Sequence, residues 1–414
     1  MSETKATCPW FDHHDPALSA DPYPAFARLR KECPVGWSEA WGGFWVVSGH
    51  REVEQVAHDD VTFCSGQGVS LPTVGQARPL IPIEVDPPLF HKYRRILNPR
   101  FSPGAVERFE PDIRRIATTL IDGFIERGEC DLMAELAAPL PAMTTLRMLG
   151  LPEEEWEVYL HRIHVGVHES ARDLDKAVEA IIEVYAAIAA ALEERESAGF
   201  TGDDLITYLA TAESEGEGLT EEEVLDTCLL ILFGGLDTTA AAISHAALYL
   251  DEDREARSRL IREPGLLRSA VEEFVRFYTP VQALARTVTR DTELGGQDLT
   301  AGDKLWMIWA SANRDETAFP DPDRVILDRY PNRHLGFGVG IHRCLGMHLA
   351  RLMFRVALEE ILRRMPDYRV SPDADLARFP DASVVYGLLH LPVTFPAGTR
   401  RVPEPTAVSS LQAG

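Results

Sequence analysis

The chain has 414 residues, 45% of them hydrophobic, with 41 Lys and Arg against 65 Asp and Glu for a formal net charge of −24. That length accommodates two or three average domains or one large single-core fold, and the apolar share excludes a disordered chain. The acidic balance argues against a general nucleic-acid binder and against adsorption to anionic membranes.

Six cysteines, Cys8, Cys33, Cys64, Cys130, Cys228 and Cys344, are scattered without CxxC spacing. The N-terminus lacks the basic-then-apolar pattern of a signal or anchor. Both features predict reduced thiols in a soluble, cytoplasmic protein.

Residues 1–20 are polar and rich in His, Asp and Pro, and are expected to form a loose strap. Helical spacing follows from Asp21 to Lys31, with Phe26 and Leu29 on one face. Val35 to Ser38 and Gly43 to Val47 read as a hairpin joined across Trp41-Gly42. His50 to His58 predicts a short helix. Thr62 to Pro82, rich in Gly, Pro and Ser, predicts an irregular loop of a length that is usually functional. From Asp86-Pro87-Pro88, an acidic cap with Pro in the first turn, helices are expected at 88–101, 104–127, 133–150, 152–170, 172–197 and 203–214.

Thr220 and Glu223 form a capping box ahead of a run that is apolar nearly all round, from Thr227 to Leu250. About 30 helical residues span on the order of 45 Å. A helix apolar on every side is buried in a large core or in a membrane. The core reading is preferred, because Asp237 would cost about 3 kcal/mol in mid-bilayer. Gly234-Gly235 and Asp237-Thr238-Thr239 interrupt the run. Each glycine forgoes about 1 kcal/mol of helix propensity, and the hydroxyls can bond back to the preceding turn and loosen it. A flat ligand against the backbone or close helix packing would each account for the glycines.

A second helical block, Asp253 to Tyr278, contains Glu273 and Arg276 at i,i+3. Strand-like pieces follow at 286–289, 292–294 and 304–308, then a polar meander from Ser311 to Tyr330. The stretch His334 to Gly346 surrounds Phe337, His342 and Cys344 with glycines, and Leu345 to Arg364 reads as the last long helix. Val384 to Phe395 is expected to return as strands. A thiol at a helix start sits where backbone N–H groups favour the thiolate. By itself the pattern admits a packing cysteine, a nucleophile or a metal ligand. No His/Asn constellation at a recognisable spacing supports the nucleophile.

Four ordered motifs then converge. Phe337-Gly-Val-Gly-Ile-His-Arg-Cys344-Leu-Gly346 resembles the haem-ligand loop of cytochrome P-450 monooxygenases. Gly234 to Thr239 resembles that family's oxygen-activation motif, Glu273 and Arg276 its ExxR pair, and Arg324 the meander arginine that completes a triad. Leu146 to Trp156 and the run from Leu232 look like the soluble bacterial enzymes of the camphor and terpene hydroxylase group.

The resemblance implies a mainly α fold with a minor β region. It would be a triangular helical core around a buried haem, one domain over 1–414 with loose termini at 1–20 and 400–414. It implies haem b with Cys344 as axial ligand, and Phe337, Gly338, Gly235, Leu345 and Gly346 against the cofactor. His342, Arg286 and Arg94 would serve the propionates, a role suited to the planar arginine fork. The family's usual His or Gln four residues after the Asp of the DPP motif is Phe90 here, so His91 is carried as a substitute contact.

Asp237 would relay protons from solvent, and Thr238 would be the hydrogen-bonding hydroxyl at the oxygen-activation site, favouring O2 plus two electrons over peroxide as oxidant. Glu273, Arg276 and Arg324 are structural in this reading. The implied substrate pocket is Val69, Leu71, Leu80, Phe233, Val281, Leu284, Val384 and Val385, suited to an apolar terpenoid or small aromatic. Arg78 is read as solvent-exposed, with a substrate carboxylate as its alternative partner. Electrons would come from a small acidic ferredoxin, of the 2Fe-2S type with its NAD(P)H reductase, docking on Arg343, Arg351 and Arg94. A monomer is expected. The competing reading is a haem-thiolate protein that binds or senses a ligand without turnover.

Overall fold

Thr220 accepts a hydrogen bond from the Glu223 N–H while the Glu223 carboxylate accepts one from the Thr220 N–H. The helix so capped, Glu221–Gly235, continues after Leu236 as Asp237–Glu252. The structure, a computed structural model, describes residues 6–72, 78–381 and 383–401. Cys228, Leu229, Leu232, Ala240, Ile243 and Leu250 are fully enclosed in the main helical core. A fully buried Leu or Ile side chain contributes about 1.5–3 kcal/mol, so this core accounts for the apolar character that a membrane span would share.

Around this pair pack Leu89–Leu97, Glu110–Phe124, Pro139–Leu149, Trp156–His168, Leu174–Ser197, Leu205–Thr211, Leu267–Tyr278 and Met347–Arg364. Prolines set boundaries that periodicity blurred. The helix expected over 104–127 divides into Pro103–Glu107 and Glu110–Phe124, with Pro111 in the first turn of the second. Met133–Ala137 is a π-helical segment, and Pro139 opens the regular helix after it, where its missing N–H is harmless. Gly150 ends that helix at φ +83°, in the left-handed region. Residues 213–218, expected to be helical up to 214, instead form a small hairpin.

The larger sheet has the order Val35–Ser38, Phe44–Val47, Lys304–Ile308, Ala283–Val288 and Phe63–Cys64, antiparallel except where Lys304–Ile308 meets Phe44–Val47. Alternation divides its side chains. Trp45, Val47, Leu305 and Met307 enter one apolar cluster, and Phe44, Val46, Trp306 and Ile308 the other. A strand covered on both faces shows no polar alternation. A three-stranded sheet joins Arg369–Val370, Pro392–Thr394 and Glu129–Asp131. Pro392–Thr394 is the one strand formed in 384–395, with isolated bridges at Val385 and Leu388 before it.

The N-terminal strap is not loose over residues 6–20. Cys8, Phe11 and His13 are buried, Thr7 pairs with Trp37, and Asp15 caps the short helix Pro16–Ala20. Two aromatic anchors in a polar segment suffice to bind it to the sheet. At the other end, the Arg401 N–H donates to Asp122 at 2.9 Å. Residues 1–5 and 402–414 lie outside the described residues.

Candidate active site

The cysteine loop is shaped by its glycines. Gly338 and Gly340 have φ of +64° and +75°, the region L side chains rarely adopt. A Cβ on Gly340 would also lie 2.2 Å from the Ala57 carbonyl oxygen. The Asn313 side-chain oxygen accepts from the Leu335 N–H at 2.6 Å, and the Phe337 carbonyl accepts from the Cys344 N–H at 2.8 Å. Glu272 accepts from Arg351 at 2.6 and 2.7 Å and from His334 at 3.1 Å, and Arg351 lies over the Phe337 ring at 4.4 Å. These contacts tie the loop to Leu267–Tyr278 and to Met347–Arg364.

Across from the loop, a cavity of about 280 Å³ opens onto the break in the central helix. Gly234, Gly235 and Thr238 face Cys344, Phe337, Gly338, Leu345 and Gly346 across it. The two glycines differ: a Cβ on Gly234 would meet nothing within 4 Å, whereas one on Gly235 would strike Thr145 at 2.7 Å. Gly235 therefore serves close helix packing as well as the cavity wall. Thr238 donates its hydroxyl to the Gly234 carbonyl at 2.8 Å. Cys344 is accessible, but from the cavity, while protein enclosing its other sides pushes the thiol up. The Gly346 N–H and Arg94 pull the opposite way.

At one edge Arg94, Arg286 and His342 converge. Burial pulls Arg286 down to about 10, and burial together with Arg286 and Arg94 pulls His342 down to about 3. The His342 Nε2 has no hydrogen-bond partner. Among the described residues neither arginine has a carboxylate within ion-pair distance; Arg286 donates to the Ala285 carbonyl and Arg94 sits 6.0 Å from the Phe90 ring. A haem fits this donor set, with a thiolate opposite the helix break and a buried cationic edge for its two carboxylates.

Phe90 fills the position where relatives of the expected type carry His or Gln, packing its ring 4.5 Å from that of His342. His91 is exposed and does not line the cavity, which corrects its reading as a substitute contact. With Phe90 and Arg94 one turn apart on the cavity face, His91, the next residue after Phe90, is rotated from that face by about 100°.

The meander arginine is also corrected. Arg329, not Arg324, reaches Glu273, at 3.0 Å. Arg324 is exposed and offers its backbone carbonyl to Arg276 and Arg329.

Of the expected pocket residues, Val281 and Leu284 line the cavity. Val69, Leu71, Leu80, Phe233, Val384 and Val385 do not. Val69 and Leu80 are buried and donate their N–H groups to Glu84. Leu71 packs on the sheet, its carbonyl facing His13 and His14. Val384 and Val385 hold the backbone of Gln282 and Val281 from behind. Phe233 is off the face formed by Leu230, Ile231, Gly234 and Thr238, and turns toward Gly166. Ile83, Leu230 and Ile231, not anticipated, complete the apolar wall. Arg78 is not free and does not line the cavity, since it grips Asp226 through Nε and Nη2 at 2.8–3.0 Å.

Asp237 faces away from the cavity. It is buried, with His168 Nε2 at 3.2 Å and His164 Nδ1 at 3.6 Å from Oδ2. Burial alone would raise this carboxyl, but the two imidazoles hold it well below its usual range. Neither histidine was singled out from the sequence; their i,i+4 spacing in Trp156–His168 was the available signal.

The cytochrome P450 family model matches residues 158–383. A steroid C26-monooxygenase of Mycobacterium tuberculosis is 36% identical over 77% of this chain and 87% of its own length. Linalool 8-monooxygenase of Pseudomonas putida is 34% identical over 84% and 90%. Among solved structures, a Mycobacterium marinum cytochrome P450 in complex with pseudoionone superposes with a TM-score of 0.86 at 31% identity, covering 95% of this chain and all of that one. A Bacillus megaterium cytochrome P450 in complex with testosterone gives 0.84 at 31% identity, covering 94% and 100%. With the glycine-shaped cysteine loop, the helix break and these likenesses together, the chain belongs to the cytochrome P450 family of monooxygenases, whose enzymes carry haem b and use O2.

Proposed function

We propose that this enzyme hydroxylates, or oxidatively demethylates, a small and largely apolar organic molecule such as a terpenoid or small aromatic. The observation that carries the reading is the placing of Cys344 opposite Thr238 across a cavity whose apolar wall includes Ile83, Leu230, Ile231, Val281 and Leu284. Apolar walls with few polar groups suit an apolar ligand. Haem, when bound, would supply the iron for O2 chemistry, and donation from the Cys344 thiolate would favour O–O cleavage.

The chain's own residues do the rest. Cys344 would hold the haem iron through its thiolate, and the Gly346 N–H moderates the basicity of its sulfur. Arg94, Arg286 and His342 hold the carboxylate edge. Thr238 presents its hydroxyl to the reacting side, and Asp237, next in chain, passes protons toward it. Positioned proton transfer of this kind is typically worth roughly 10²–10⁴-fold.

Electrons come from a small acidic ferredoxin of the 2Fe-2S type, itself reduced by an NAD(P)H-dependent reductase, in a cytoplasmic setting, with this chain acting as a monomer. Its docking surface is the outer side of the cysteine loop, where Arg343 is exposed. Arg351 and Arg94 are withdrawn from that surface, the first by Glu272 and the second by the cavity. The test is the spectrum of the reduced protein under carbon monoxide, followed by a screen of terpenoids, small aromatics and fatty acids for a substrate-induced spin shift. Turnover of the best ligand with a ferredoxin pair supports the reading. A red-shifted band with spin-shifting ligands but no product under any donor favours a binding protein instead.

A further inference from the structure

His164 and His168 are one turn apart on the same helix face, and Asp237 opens the segment that follows Glu221–Gly235, which packs against their helix. Their ligand-type atoms all lie within 4.8 Å of one another. The His168 Nδ1 is 3.1 Å from the backbone carbonyl of Asp381, which only accepts, so that nitrogen carries a proton. The other ring nitrogen, Nε2, faces Asp237 Oδ2 at 3.2 Å, as a second N–H in the imidazolium and as a lone pair in the neutral ring. Either way one cation, a proton or a metal ion, sits between that nitrogen and the carboxylate oxygen.

The two distances to the carboxylate fit a metal, and the two imidazole nitrogens lie within 4.8 Å of each other. Tetrahedral zinc with bonds of about 2.0–2.1 Å sets its ligand atoms about 3.3–3.4 Å apart; here the two measured edges are 3.2 and 3.6 Å. The outer arrangement fits as well. A metal-binding histidine ordinarily donates its second N–H to a carbonyl or carboxylate, as His168 does to Asp381. Asp381 is fixed by its own bonds, accepting from the Ser383 N–H at 2.8 Å and pairing with His14 at 2.8 Å. The Phe379 ring covers both imidazoles, at 4.8 and 4.6 Å. The His164 side chain is 23% exposed and provides a route in from solvent. Among the described residues, these two imidazoles are the only basic side chains within ion-pair distance of Asp237.

We propose that His164, His168 and Asp237 bind one divalent transition-metal ion of the zinc class, and that its binding withdraws Asp237 from proton transfer. The binding stands on the geometry of these three residues; the effect on turnover rests on the role proposed for Asp237.

The test uses haem-loaded protein, cleared with a chelator and dialysed against micromolar zinc chloride in a non-coordinating buffer. Wild type should retain one zinc that His164→Gln and His168→Gln each release at least about tenfold more readily, since even an outer partner of a metal ligand costs that much. Zinc-edge absorption should show two imidazoles at bonding distance. Circular dichroism and thermal unfolding verify that each variant folds, and His164, partly exposed, tolerates replacement if His168 does not. No zinc retained, or equal zinc in wild type and His164→Gln, overturns the site and leaves a shared proton as the cation. In turnover, zinc should lower product and raise hydrogen peroxide release in wild type but not in His164→Gln. Zinc retained without that change overturns the regulatory half alone.

Discussion

Arg329 donates from Nε to both carboxylate oxygens of Glu273, at 3.1 and 3.0 Å, inside a site where Glu273 is fully buried. Arg276 approaches the same carboxylate from the other side with two bonds of 2.8 Å, and the Ile326 N–H and Asn332 side chain complete it. Both guanidinium groups also donate to meander carbonyls, of Asn313, Pro322 and Arg324 for Arg276 and of Pro320, Asp321 and Arg324 for Arg329. Breaking one partner of a buried ion pair costs about 3–5 kcal/mol. Arg329→Ala should therefore lower the urea midpoint sharply and abolish haem incorporation. Arg324→Ala should remain within about 0.5 kcal/mol of wild type, as an exposed side chain does. Equal effects of the two would refute the assignment.

Glu272 gives a pH dependence. Burial would raise it, but hydrogen bonds from His334 and Arg351 override that and hold it at about 2. A carboxyl depressed in the folded state stabilises above its ordinary value and loses that contribution as pH falls through the folded value. The cysteine loop should accordingly loosen between pH 4.5 and about 2. Acid-induced haem release followed at the Soret band should be steeper in wild type than in Glu272→Gln, which begins weaker and changes less.

Arg78 clamps residues just beyond the 73–77 segment to the central helix through Asp226, which also accepts from the Tyr185 hydroxyl at 2.7 Å. Arg78 is 35% exposed and Asp226 5%, so removing the arginine leaves a carboxylate in a mostly dry site. With half the clamp in contact with solvent, Arg78→Ala should cost about 1 kcal/mol and speed proteolytic cleavage within residues 62–82. Asp226→Asn should do less, because the Tyr185 and arginine contacts can be partly kept.

Cys344→Ser should remove the red-shifted carbon monoxide band while leaving the far-ultraviolet circular dichroism of the fold. Thr238→Ala should keep the band yet divert electrons to hydrogen peroxide, with product falling by roughly 10²-fold or more. Unchanged coupling in Thr238→Ala would remove the threonine from the proton path.

His91→Ala should leave haem retention unchanged, since the ring is outside the cavity. Arg94→Ala and Arg286→Ala should each accelerate haem transfer to an acceptor such as apomyoglobin, Arg286 more, because it is the more deeply buried cation.

Features set within a few residues were decided by the sequence alone. The positive φ of Gly338 and Gly340, the capping box of Thr220 and Glu223, and the i,i+3 spacing of Glu273 and Arg276 depend on local geometry that the residue types dictate. Read by themselves they left the role of Cys344 open, and the resemblance carried by the four ordered motifs implied a haem-thiolate loop facing a broken helix. Tertiary packing decided what local chemistry leaves open. Arg324 and Arg329 lie five residues apart in one meander, and only the path of the chain, with Asp321 at φ +48°, turns the first outward and the second inward. Val69, Leu71 and Leu80 are apolar whether they line a pocket or a neighbouring core, so their hydrophobicity could not say which. Asp237 meets His168 across 69 residues of chain. No local signal selects that partner, because it follows from how two helices, each specified by its own sequence, come to lie against one another.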